Sequence, residues 1–463
     1  MKLCGDDAIE IEPGAVIRWE LAATADSLPV DVPPSENEKF HLDAVRRNGT
    51  AGWLALTVEF AEAVAVDDIT RSLRKLVDRH EVLRCHFVSS DDEHVRHRLP
   101  VGDLTVRPVP GVVVPDGPGP EGTTDPGTTD PGTGDSPLAD RLVDDIATVC
   151  SPFAPLQHYL AAVQRPSSTT VILAFDHCYV DAYSLAVIAS ELVDDLSGTK
   201  VAQPMSFLDI RTVEDAAPTV APDDPRLRGW GEFLAANHWT VPEFPLDLGL
   251  APGDTAPVCT EVRTLMCAES ARRFEQTVHA LNARTYPALL TAFADAVHDV
   301  GGPAELPAIL PVHTRYDAAD RKAVGWLVGN APIRLSARGD RGTTLRANTA
   351  RLGEALPLAR IGLTPVYMTY GDLIRTNRSD VFMVSYVDYR KLGLPASVTT
   401  RQISSSRRTD TAQFWFWRDA DGVHLRARYP DTELAHRTMT GVLDAVDDRL
   451  RDVWSGGLRH RAG

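Results

Sequence analysis

The stretch 171–196, VILAFDHCYVDAYSLAVIASELVDDL, leaves few ways to fold. It opens with Val171, Ile172, Leu173, Ala174 and Phe175, a short apolar run of the kind that forms a buried strand. It closes with Leu185, Ile188, Leu192 and Leu196, whose spacing lays one apolar stripe along a helix. A strand that hands over directly to a helix exposes its last residues at a sheet edge or cleft. The handover here is DHCYVDA, which carries His177 and Asp181. Polar side chains at such a place can meet a ligand while the flanking elements hold them rigid. An imidazole accepts a proton near neutral pH, its unperturbed pKa being about 6.5. Asp181 offers a carboxylate to an arginine or to a backbone donor. It is equally suited to cap the helix that starts at Ala182, and His177 also fits a hydrogen-bonded loop histidine. A motif this short does not choose between those readings.

At 463 residues the chain is too long for one core, and two domains are expected. Lys plus Arg number 47 against 64 for Asp plus Glu, a net charge of −17. Nucleic-acid binding needs a basic footprint and is not expected. An anionic membrane surface is disfavoured for the same reason. The six cysteines, at 4, 85, 150, 178, 259 and 267, show no paired metal-ligand spacing and read as reduced residues of a cytoplasmic protein. The N-terminal MKLCGDDAIEIEPG lacks the apolar core of a signal peptide. No run approaches the roughly 18 apolar residues of a membrane helix, so no stable membrane insertion is expected. No metal site and no bound cofactor are expected, and the acidic surface is compatible with a monomer.

Along the chain, Ala15, Ile17 and Trp19 alternate as in a strand, and FHLDAVRRN reads as a helix. Leu54, Leu56, Val58 and Phe60 mark a strand. Ile69, Leu73, Leu76, Val77 and Leu83 mark a helix capped by Asp67 or Asp68, and HVRHRLPV a further strand. From about 110 to 137 the composition turns to Pro, Gly, Thr and Asp, with TTDPG twice, which reads as a disordered insertion within the first lobe. The expected division is 1–200 as an N-terminal lobe, 201–257 as a crossover and 258–463 as a C-terminal lobe. The second lobe repeats the strand–helix style, with strands at TEVRTLMCA, ELPAILPVHTRY, VGWLVGNAPIRLSA, DVFMVSYVDYRKL and TAQFWFWRD.

Several of these pieces resemble the condensation-domain superfamily of acyltransferases, which includes chloramphenicol acetyltransferase and the condensation domains of nonribosomal peptide synthetases. DHCYVDA resembles the HHxxxDG signature. LVDRHEVLRCHF resembles the early helix-to-strand segment, and LPVHTRY the strand whose arginine pairs with the motif aspartate. VGWLVGNAPIRL resembles the segment at the lobe junction, and GVHLRARYPDTELAHRTM the terminal strand and helix. Five segments in the family's order are far more specific than one HxxxD. Within the superfamily, EPGAVIRWEL, VPPSENEKFHL and RGWGEFLAANHWTVPEFPLDLG resemble the polyketide-associated acyltransferases of actinobacteria, which build cell-envelope glycolipids. Two positions depart: Asp176 stands for the first motif histidine, and Ala182 for the motif glycine.

The resemblance implies an α+β fold of two chloramphenicol-acetyltransferase-like sandwich lobes in a V-shaped pseudo-dimer with a central channel. It implies an acyltransferase of lipid or secondary-metabolite biosynthesis. The co-substrate would be acyl-CoA or an acyl carrier protein bearing a phosphopantetheinyl thioester, and the acceptor a small-molecule alcohol. His177 would be the general base, a role typically worth roughly 10²–10⁴ in rate. Asp181 and Arg315 would form a structural pair behind it. Asp176, Tyr183, Ser184, Trp326 and Asn330 are candidates to line the channel, with packing or capping roles as open alternatives. Trp415 and Trp417 are candidates to touch an acyl chain or to fill the core. Cys178 adjoins His177 but points away from it along a strand end, which argues against a Cys–His pair. Two other functions stay open: an amide-forming condensation enzyme with an amine acceptor, and a catalytically silent binding scaffold.

Overall fold

The structure is a computed structural model. It describes all residues except 6–10, 50–51, 91–92, 114–136, 216–219, 338, 395–396, 406–407 and 455–463. Most of the insertion expected at 110–137 therefore lies outside the described residues.

The first sheet runs β1 (Lys2–Gly5), β14 (Val398–Ser404), β4 (Trp53–Phe60), β9 (Thr169–Asp176), β8 (Tyr159–Gln164), β2 (Ala15–Ala23) and β7 (Leu104–Val113). Strand β9 lies between β4 and β8, antiparallel to both, and all eight of its residues are buried. Successive strand side chains point to opposite faces. Val171, Leu173 and Phe175 join Ile69, Leu73 and Val77 of α2 (Val66–Arg79) and Leu185, Ile188 and Leu192 of α4 (Ala182–Leu196). Ile172 and Ala174 join Leu138, Leu142 and Ile146 of α3 (Pro137–Val149) on the other face. A strand covered on both faces needs apolar residues at every position, which is why 171–175 has no alternation. A small sheet of β3 (Leu28–Pro29), β6 (His94–Arg98) and β5 (Cys85–Ser89) completes this region with α1 (Glu36–Asn48) and α5 (Phe207–Asp215).

The second sheet runs β12 (Val328–Ser336), β11 (Glu305–His313), β13 (Met383–Asp388), β16 (Gln413–Arg418), β17 (Gly422–Pro430), β10 (Ala256–Cys267) and β15 (Arg408–Thr409). Its core joins Phe414 and Phe416 to Leu289, Phe293 and Val297 of α8 (Thr285–Asp299) and Met439, Val442 and Val446 of α11 (Glu433–Trp454). Helices α6 (Pro225–Ala236), α7 (Ala268–Ala280), α9 (Arg341–Ala355) and α10 (Thr364–Tyr370) complete that lobe. Trp417 is buried, donates its indole N–H to Asp419 at 3.2 Å and stacks on His424. Trp415 lies under the Arg426 guanidinium. The fold is thus α+β, with two mixed sheets forming two lobes.

Each lobe is discontinuous in sequence. One compact unit comprises Met1–Ala217, Arg315–Leu327 and Gly393–Ser405, and the other Pro218–Thr314, Val328–Leu392 and Ser406–Gly463. Strand β14, VTTRQIS, thus belongs to the first sheet, where it pairs with β4 and β1.

Two helix starts differ from the sequence reading. Helix α1 begins before FHLDAVRRN because Ser35 and Glu38 form a reciprocal capping box: the Glu38 N–H donates to Ser35 Oγ, and the Ser35 N–H to Glu38 Oε2. The N-cap of α2 is Ala65, with no side-chain cap; Asp67 and Asp68 sit in the first turn, where carboxylates favour the positive helix end. Among the described residues no helix is long and apolar enough to cross a membrane.

Candidate active site

His177 opens a single 3-10 turn, His177–Tyr179, directly after β9. Its backbone N–H donates to the Gly52 carbonyl at 2.9 Å, just before β4. Asp176 caps the turn by accepting the Cys178 N–H at 2.9 Å. The strand end and this cap aim the imidazole; its ring stacks on Trp326, centroids 3.9 Å apart and planes 29° apart. Both rings are half-buried. Nδ1 of His177 is closed off from solvent without a hydrogen-bond partner. Burial pushes the imidazole down to about 4, repulsion from His41 adds to this, and the charges of Asp176 and Asp181 oppose it. The ring is therefore neutral at physiological pH, the form that can accept a proton.

Behind the turn, Asp181 does two jobs that the sequence presented as alternatives. It caps α4, accepting the Ser184 N–H at 2.7 Å and the Ser184 hydroxyl at 2.8 Å. It also grips Arg315, whose two terminal nitrogens donate at 2.8 and 3.1 Å to its two oxygens. The Leu327 N–H adds a bond at 3.1 Å. Arg315 spends its remaining donors on the carbonyls of Ala323 and Gly325 and on Ser184 Oγ. Its Cζ lies 4.6 Å from the centre of the Tyr183 ring. Arg315 and Asp181 are 2 % and 4 % exposed, so this bidentate pair is a buried tie between α4 and the segment Arg315–Leu327 that carries Trp326. Gly325 has no room for a side chain: an added Cβ would lie 2.1 Å from Phe207 Cδ2.

The other candidates fall in different places. Ser184 and Asp176 have no exposed surface, and both spend their side-chain oxygens on hydrogen bonds within the turn and the start of α4. Asn330 lies on β12 of the other unit, in register with Pro311. Ala182 opens α4 and is not among the positive-φ residues, so its side chain costs no backbone strain there. Cys178 is fully buried and its thiol is pushed well up by that burial, which leaves it unfit as a nucleophile.

One residue was missed. His41 of α1 places Nε2 3.0 and 3.2 Å from the two oxygens of Asp176. Its ring meets Trp326 edge-on at 5.9 Å and lies 6.3 Å from the His177 ring. Asp176 thus engages a histidine 135 residues away in sequence. No local pattern links the two positions; the Ser35–Glu38 spacing of the capping box, which sets where α1 begins, is a signal that frames the helix but does not point to His41. His41, Asp176 and Cys178 hold potential ligand atoms within 4.8 Å of one another. The carboxylate is already engaged by His41 and the Cys178 N–H, and the thiol stays protonated, so the trio is a hydrogen-bonded cluster ill suited to a cation.

No family model matches the chain. A curated relative, the 2'-acyl-2-O-sulfo-trehalose (hydroxy)phthioceranyltransferase PapA1 of Mycobacterium tuberculosis, is 24% identical, over 97% of this chain and 88% of its own length. The solved structure of a PapA2 acyl transferase superposes with a TM-score of 0.84 at 19% identity, covering 98% of this chain and 100% of that one. The first condensation domain of the CDA synthetase matches with a TM-score of 0.67 at 15% identity, over 93% and 97% of the two chains.

Proposed function

We propose that this chain is an acyltransferase of the condensation-domain superfamily, like the PapA-type acyltransferases it is similar to, and that it transfers an acyl group from a thioester to a hydroxyl acceptor. The observation that carries the reading is His177: a neutral imidazole at a strand end, one nitrogen sealed off, backed by a buried Asp181–Arg315 tie. Its Nε2 is the nitrogen left to meet substrate. In the step proposed, Nε2 takes the hydroxyl proton while the oxygen attacks the thioester carbonyl. A C–O bond forms, the C–S bond breaks, and the proton passes from the imidazolium to the departing thiolate. No acyl-enzyme is required; holding donor and acceptor together supplies much of the remaining acceleration.

The donor is acyl-CoA or an acyl carrier thioester. PapA1 is named for acyl transfer to a sulfated, acylated trehalose, which supports a sugar or glycolipid hydroxyl as the acceptor class. The test is thiol release by the purified full chain, given acyl-CoA or acyl-carrier thioesters with a panel of sugar alcohols, fatty alcohols and amines, repeated with His177→Ala. Turnover with alcohols that His177→Ala abolishes is expected. Equal turnover by both proteins would remove His177 from the mechanism. Turnover with amines alone would make the chain an amide-forming enzyme, and none with any pair would favour the binding scaffold.

A further inference from the structure

His41 is built into the site with more support than a packing residue needs. The Asp176 carboxylate holds its Nε2 through both oxygens, and Asp176 is itself fixed by the Cys178 N–H and is fully buried. Trp326 stands edge-on to its ring. The ring also closes off the space beside Gly52, where an added Cβ would lie 3.2 Å from His41 Cε1. Gly52 is also the residue whose carbonyl holds the His177 N–H. His41 thus lies beside the residue that anchors the His177 backbone and meets the ring that stacks on its side chain. The helix that carries it is set by the Ser35–Glu38 box, with Glu38 paired to Arg96 in full burial.

We propose that His41 is a positioning residue of the transferase site: gripped by Asp176, it fixes the Trp326–His177 ring stack and sets the charge under which His177 works. It does not touch the reacting atoms. The titratable groups facing the two imidazoles are Asp176 from the end of β9, the Cys178 thiol, and Asp181 from the start of α4, itself paired with Arg315. Charge on His41 opposes protonation of His177, whereas charge on Asp176 favours it. The two halves of the pair therefore act on His177 with opposite sign, which packing alone does not do.

This rests on the acyltransferase reading, so the test has an arm that needs no substrate. The imidazole carbons of the full-length protein are followed by NMR from pH 3.5 to 8, with His177→Ala assigning the His177 signal. His41→Asn and His41→Gln are expected to move the His177 midpoint up by about half a pH unit or more, and Asp176→Asn to move it down. In the kinetic arm, His41→Asn is expected to lower kcat/KM roughly tenfold, mostly in kcat, with the acid limb displaced to higher pH. His41→Gln keeps a donor for Asp176 and is expected to recover part of the kcat. Midpoints and pH profiles that superimpose on the parent's would overturn the proposal. So would an activity loss that merely tracks the folded fraction. If no thioester is turned over at all, the transferase reading fails and the titration arm alone decides whether His41 governs His177.

Discussion

Replacing Arg315 with Met tests the scaffold on which the site depends. The substitution keeps much of the side-chain volume and removes every donor. Asp181 would retain the Ser184 N–H and hydroxyl and the Leu327 N–H but lose its bidentate cation, and the carbonyls of Ala323 and Gly325 would lose the guanidinium. Breaking a buried ion pair from one side typically costs about 3–5 kcal/mol, because a charge is left uncompensated. For a domain of 150–250 residues each kcal/mol moves Tm by about 2–4 °C, so a fall of roughly 6–20 °C is expected by calorimetry on the full chain. Activity should fall further than stability, since the same segment carries Trp326 against His177. The double variant Asp181→Asn with Arg315→Met removes both charges and should melt above Arg315→Met alone. An Arg315→Met protein that melts within about 2 °C of the parent, or a double variant no more stable than the single, would refute the argument that an uncompensated charge sets the cost.

The remaining predictions follow from single features. His177 and His158 are both pushed down to about 4, chiefly by burial. Between about pH 4 and the free-imidazole value near 6.5 the unfolded chain binds more protons than the folded one, so stability rises with pH across that window and is lost as pH falls through it. Denaturant midpoints at pH 7, 5.5 and 4.5 should decrease in that order, and a midpoint at pH 4.5 equal to that at pH 7 would contradict the burial argument. Gly325→Ala must displace the Phe207 ring and should cost about 1–3 kcal/mol, read by urea unfolding. Ser35→Ala removes half of the α1 capping box and should cost about 1 kcal/mol, again by urea unfolding. Cys267 is exposed, and its thiol is lowered by a hydrogen bond with Ser270; it should react first with a maleimide. Cys85, Cys150 and Cys178 should label only on unfolding, as peptide mapping would show.

Sequence alone determined the local order: a fully apolar strand, the handover DHCYVDA, an amphipathic helix, and the identity of His177 and Asp181 between them. These are legible because strand and helix periods are properties of neighbouring residues. The partners of those residues come from tertiary structure. Arg315 reaches Asp181 across 134 residues, and His41 reaches Asp176 across 135. Strand β14, with Val398 and Ile403 as its large apolar residues, joins a sheet whose other strands all precede residue 177. A backbone ladder can recruit such a strand because its hydrogen bonds do not depend on side-chain type. Whether Asp181 capped a helix or bound an arginine could not be decided from sequence, because one carboxylate has two oxygens and lone pairs enough for both. Only the folded chain, by bringing Arg315 to the start of α4, made the two roles one.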